Sequence, residues 1–231
     1  MRSDIEGVAF DLDGTLYPNY RLYIRLIPFL LKEWRLVSAF GRARNIIRKK
    51  QENSPDLSCN PERSFYDHQA AVTAEILGMP HVPLKEKIDR LIYRGWEPLF
   101  KTIKLFKGVI ETLAAIKNAG YKLGLLSDFP PEIKLENLKI SGIWDVVLCS
   151  ECCGALKPHS LSFVELAAAM SLPPGKIIYV GNSHKHDVSG ANLAGMKTAL
   201  IKSRLIPGSK KQPKADFTFN NYRQLYDFMI N

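Results

Sequence analysis

From Gly108 to the end of the chain, segments patterned like buried strands alternate with segments patterned like amphipathic helices, and this alternation leaves few folds open. Residues 109–118 read as a helix, and Gly120 suits its C-terminal cap. Residues 122–127 (KLGLLS) read as a strand, and Pro130 and Pro131 open a helix to about 140. Strands follow at 146–149, 176–181 and 198–201, with helices at 160–171 and 188–194 between them. Residues 216–219 suit a last strand before a C-terminal helix. A further short strand pattern, 7–11, opens the chain. Strands separated by helices pair in parallel, so the expected fold is α/β: a doubly wound parallel sheet with helices on both faces.

Residues 17–105 break the alternation. Tyr23, Leu26, Ile27, Leu30, Trp34 and Val37 recur at helical spacing, and Pro28 marks a kink or the start of a new helix. Residues 51–61 read as a polar loop, with helices expected at 63–78 and 84–94. This segment is therefore an insertion after the first strand. The expected division is a core of 1–16 and 106–231 and a helical cap of 17–105.

The insertion also holds most of the charge asymmetry. The chain carries a net charge of +9, and residues 21–50 contain nine basic residues and one acid. A shorter basic run lies at 202–214. Such a field concentrates anions, whether a phosphorylated metabolite, nucleic acid or an acidic membrane surface, and the alternative is a solvated helix face. The longest uncharged stretch near the N-terminus, 26–31, is far short of the roughly 20 apolar residues that span a membrane. Residues 1–10 do not read as a secretory signal. Four cysteines in 231 residues suggest reduced thiols and a cytoplasmic setting.

In sheets of this kind ligands bind beyond the carboxyl ends of the strands. The residues expected there are Asp11 and Asp13 after the first strand, Ser127 and Asp128 after the second, Lys157 after the third, and Asn182 to Asp187 after the fourth. Each type serves phosphoryl transfer. One carboxylate can act as a nucleophile, and a second can move protons. Hard oxygen donors suit Mg²⁺, and lysine and hydroxyl groups stabilise a transferring phosphoryl group.

DLDGTL at 11–16, a strand ending in Ser127, Lys157 and GNSHKHD at 181–187 resemble, in this order, the four motifs of the haloacid dehalogenase superfamily. The resemblance covers the expected core, and residues 17–105 are similar to the helical cap that some members insert after the first motif. It implies a Mg²⁺-dependent phosphatase with Asp11 as nucleophile and metal ligand. Asp13 would be the general acid and base, and its backbone carbonyl would bind the metal. Ser127, Asp128 and Lys157 would contact phosphate, and Asp187 and Asn182 would complete the metal site. Dehalogenating members lack the second aspartate. The fourth motif commonly begins Gly-Asp, so Asn182 removes one charge from the metal site.

The substrate implied is a small phosphorylated metabolite, such as a sugar phosphate, a phosphoglycolate-like acid or a nucleoside monophosphate. Within the fold a phosphomutase is the alternative, and a weakened scaffold binding nucleic acid through 21–50 is another. His184 and His186 read as exposed loop residues. Cys149, Cys152 and Cys153 lack the second pair that a zinc site needs.

Overall fold

A computed structural model describes residues 4–52, 64–202 and 214–231. Cys59, the loop at 51–61 from position 53 onward, and most of the basic run at 202–214 lie outside them.

Six strands form one parallel sheet: β1 (Gly7–Phe10), β2 (Lys122–Ser127), β3 (Val146–Cys149), β4 (Ile177–Gly181), β5 (Lys197–Ile201) and β6 (Phe217–Phe219), in the order β3-β2-β1-β4-β5-β6. Side chains alternate across such a sheet. Val8 and Phe10 of β1 enter the larger apolar cluster, together with Leu123, Leu125, Ile178 and Val180. Ala9 points the other way, into a cluster with Leu126, Tyr179, Phe163 and Leu166. The first face is covered by the helices Val109–Asn118 and Tyr222–Ile230, the second by Ser160–Ala169 and Ser189–Leu193. Both neighbours of β1, which are β2 and β4, run parallel to it in register: Phe10 lies beside Leu125 and Val180. Strand order reverses at β1, so the crevice at its carboxyl end is the natural ligand site.

The insertion between β1 and β2 is helical, with α1 (Asn19–Glu52), α2 (Phe65–Leu77) and α3 (His81–Ile88) followed by tighter and wider helical turns to Thr102. α2 has Ser64 as its N-cap, accepting from the Asp67 N–H, and left-handed Gly78 at its C-terminus. The break in α1 falls at Glu33 (φ −115°, ψ 26°), five residues beyond Pro28. It separates two duties. Leu22 and Leu26 pack into the cluster beneath the sheet, whereas Leu36 and Phe40 pack with Ala70, Ala74, Leu84, Ile88 and Ile92 in a cluster belonging to the insertion. One helical phase does not run through both halves. Of the expected apolar face, Leu26 is buried, but Tyr23 and Trp34 are 58% and 64% exposed. No described helix is long and apolar enough to cross a membrane.

Candidate active site

Asp11 follows β1 directly and is buried, with 5% of its surface exposed. Thr15 donates to its Oδ2 at 2.7 Å, and the Lys157 ammonium donates to its Oδ1 at 2.7 Å. The turn that brings Thr15 back depends on Gly14, whose φ is +92°. That positive φ favours glycine, and a Cβ there, 2.0 Å from Asn182 Nδ2, would displace that amide. Burial pushes the Asp11 carboxyl up, to about 7; Lys157 opposes this and Asp187 adds to it.

Lys157 is buried among oxygens. Besides Asp11 it donates to Asp187 Oδ1 at 2.8 Å and to the Tyr179 hydroxyl at 3.2 Å. Burial alone would lower its pKa, but Asp11 and Asp187 outweigh that and hold it well above the ordinary lysine value. Asp187 Oδ2 accepts the N–H groups of Asn182 (3.1 Å) and Ser183 (2.9 Å). This tight return of the loop needs Gly181, where a Cβ would lie 2.3 Å from that of Asp187. Ser127 ends β2 with its hydroxyl buried and without a hydrogen-bond partner. A buried hydroxyl left unpaired is costly, and an incoming acceptor such as a phosphate oxygen would relieve it.

Asp13 has a different setting. It is 27% exposed at the side chain, takes the Lys134 ammonium at 2.7 and 3.0 Å, and accepts a short hydrogen bond from the Tyr17 hydroxyl. It faces a cavity between the insertion and the sheet edge. One carboxylate is thus enclosed against a lysine, and the other stands at the mouth of a binding space.

The two remaining acids, Asp128 and Asp187, are both paired with basic side chains. Asp128, expected at the phosphate, directs its carboxylate to Arg48 (2.6 Å) and Arg44 (3.5 Å) of α1 and to the Lys157 N–H (3.1 Å). Burial would raise its pKa, but Lys157, Arg44 and Arg48 together hold it at about 2. A carboxylate so fixed anchors the insertion to the sheet edge. Asp187 meets Lys157 through Oδ1 and the loop N–H groups through Oδ2, so its carboxylate and that of Asp11 flank the same lysine.

A hard cation would still find donors here: the Asp11 carboxylate, the Asp13 backbone carbonyl and the amide oxygen of Asn182, whose side chain lies against Gly14. One carboxylate with neutral oxygens, water and substrate phosphate is a set that Mg²⁺ accepts. A positive ion would also favour ionised Asp11, which burial otherwise opposes. Among the described residues no group of three His, Cys, Asp or Glu side chains is arranged as a metal site.

The basic run is not a uniform solvated face. Arg44 is buried, pairs with the buried Glu151, donates to Gln69 at 3.0 Å and lies 4.2 Å over the Phe129 ring. Arg48 also donates to the Lys157 carbonyl at 3.0 Å. These two arginines therefore clamp the insertion to the core and are not available to steer ligands. His184 and His186, expected as exposed loop residues, are half-buried; burial lowers the pKa of His186.

The family model described as haloacid dehalogenase-like hydrolase matches residues 5–195. The chain belongs to that family. Among curated relatives, the glyceraldehyde 3-phosphate phosphatase of Methanopyrus kandleri is 28% identical, the match covering 96% of each chain. The phosphoglycolate phosphatase of Escherichia coli is 27% identical over 83% of this chain and 79% of its own. Among solved structures, a haloacid dehalogenase-type phosphatase from Thermococcus onnurineus superposes with a TM-score of 0.63 at 22% identity, covering 97% and 98% of the two chains. An L-2-haloacid dehalogenase from Xanthobacter autotrophicus gives 0.62 at 17% identity, covering 97% and 98%, and shares the fold. Within the family this hydrolase is of the phosphatase type: it carries the second aspartate, Asp13, and its curated relatives named here are phosphatases.

Thr15, Tyr17, Lys134 and Tyr179 were not singled out from the sequence. Thr15 was within reach, as the fifth residue of DLDGT. Lys134 lies 121 positions from Asp13, and no local pattern joins them.

Proposed function

We propose that this hydrolase removes phosphate from small phosphorylated metabolites by way of a covalent phosphate on Asp11. The observation that carries the reading is the contrast between its two carboxylates: Asp11 enclosed against Lys157, and Asp13 opening on the cavity. In this reading an Asp11 oxygen attacks phosphorus, with Thr15 and Lys157 fixing the carboxylate in line. Asp13 acts as the general acid toward the departing alkoxide. The resulting Asp13 carboxylate then takes a proton from the water that attacks the aspartyl-phosphate, releasing inorganic phosphate and Asp11. Ser127 and Lys157 hold the phosphoryl oxygens, and the Asp128 backbone N–H is a further donor next to them. Lys157 also offsets the gathering negative charge, in a site where water is largely excluded and charges interact strongly.

Mg²⁺ held by Asp11, the Asp13 carbonyl and Asn182 would supply additional charge neutralisation at the phosphate. The test is phosphate release from a panel of phosphate monoesters with and without Mg²⁺. Wild type is expected to turn over in Mg²⁺ and to stop reversibly in EDTA, and Asp11→Asn to be inactive yet folded. Turnover by Asp11→Asn at the wild-type rate would remove Asp11 from its proposed role.

A further inference from the structure

The cavity that opens at Asp13 has a volume of about 620 Å³. Cavities of about 300–1,000 Å³ enclose organic molecules far larger than a two- or three-carbon phosphate.

Its size is not that of a cleft waiting to close. The insertion is already docked on the core, with Arg44 on Glu151 and Arg48 on Asp128, all four side chains largely buried. What remains between the two parts is the room left for a ligand.

The walls are aromatic. Tyr23, Tyr66, Tyr93, Trp96, Phe100 and Phe129 line the space. Tyr66 and Tyr93 meet edge to face with centroids 5.4 Å apart, and Tyr93 meets Phe129 at 5.9 Å, so the rings form a continuous surface. Each lining cation already has a carboxylate: Lys134 has Asp13, Arg94 has Asp89 and Lys85 has Asp67. Among the described residues, therefore, no lining cation is without a carboxylate partner to receive a second anionic group.

We infer that the phosphate monoester taken by this site carries a flat aromatic group on its leaving alcohol, seated against Trp96, Phe129 and Tyr93. The inference rests on the proposed phosphatase reading and narrows its substrate class. It separates this chain from relatives named for glyceraldehyde 3-phosphate and phosphoglycolate.

The test compares 2-phenylethyl phosphate, ethyl phosphate and phosphoglycolate. The first two have primary alkyl leaving groups of similar reactivity, so a difference between them reports binding of the ring. The expected kcat/KM for 2-phenylethyl phosphate is at least about tenfold above the other two, mainly through KM. Trp96→Ala should move the ratio toward one. Equal or lower kcat/KM for the aromatic ester in wild type overturns the inference. If none of the three esters is hydrolysed, the phosphatase reading fails on its own, and calorimetric titration of the same esters decides the pocket. Tighter binding of the 2-phenylethyl ester than of ethyl phosphate sustains the aromatic site, and equal binding refutes it.

Discussion

Arg44→Met removes the cation that makes a buried carboxylate tolerable, and the consequence can be worked from the contacts of Glu151. Glu151 is 1% exposed and pairs with Arg44; its other partner is the Tyr93 hydroxyl, at 3.0 Å. Burial pushes its carboxyl up, and Arg44 pulls it down without returning it to the ordinary value, so the figures below are upper bounds on the deficit against wild type. Without Arg44 the burial and the repulsion from Asp128 remain, and Glu151 takes a proton in the folded state. Keeping a carboxyl protonated at pH 7 against an unfolded value of about 4.3 costs about 3.7 kcal/mol, and at pH 5.5 about 1.6 kcal/mol. The first figure agrees with the cost of about 3–5 kcal/mol for breaking a buried pair by removing one partner. The sign follows from proton counts. Above pH 4.3 the folded variant holds a proton that the unfolded chain has lost, so its stability falls as pH rises, by about 1.4 kcal/mol per pH unit, up to the raised folded value. Urea unfolding of wild type and Arg44→Met at pH 5.5 and 7 measures this. The double variant Arg44→Met, Glu151→Gln should recover most of the loss and lose the pH dependence. A deficit equal at both pH values, or one that Glu151→Gln leaves unchanged, refutes the reasoning.

Ser127→Ala should cost little stability, because the hydroxyl has no partner to lose, while reducing kcat/KM by about tenfold to a hundredfold; thermal melts beside steady-state kinetics check both halves. Asn182→Asp adds a carboxylate beside the proposed cation donors, so half-maximal activation should need about tenfold less Mg²⁺, with a larger Mg²⁺-induced rise in Tm; an unchanged requirement would take Asn182 out of the metal site. Cys152 is exposed, and its neighbour Cys149, with Tyr66 at 3.5 Å assisting, lowers its thiol to about 6 against the opposing effect of partial burial. Its iodoacetamide labelling should therefore rise through pH 6 and level off near pH 7, while buried Cys149 stays unlabelled; peptide mass spectrometry reads both.

What the sequence made legible follows from how local each signal is. The core strands and helices could be placed because apolar pattern, Gly and Pro sit within a few residues of each element: β2 and β3 fall at 122–127 and 146–149, as the pattern indicates. The acids and lysine of the motifs could be found because each follows its own strand. α1 was harder. Its two halves pack on different clusters, so the apolar phase shifts at Glu33, and the periodicity pointed to Tyr23 and Trp34, which are exposed. The pairs between the insertion and the sheet edge were not readable at all. Arg44 meets Glu151 across 107 positions, and nothing near either residue distinguishes it from a surface charge. The same holds for Asp128, whose place beside Ser127 suggested phosphate binding, whereas two arginines of the insertion claim its carboxylate.

The central proposal is that Asp11 carries the phosphoryl group during turnover, and acid quenching tests it most directly. Wild-type protein mixed with excess phosphate ester and Mg²⁺ is quenched in acid within the first turnovers, digested, and its peptides are weighed. The peptide holding Asp11 should gain the mass of one phosphoryl group, located on Asp11 by fragmentation, and Asp11→Asn should show none. Phosphate released at the steady rate with no such peptide at any quench time, or with the added mass on a residue other than Asp11, would contradict it.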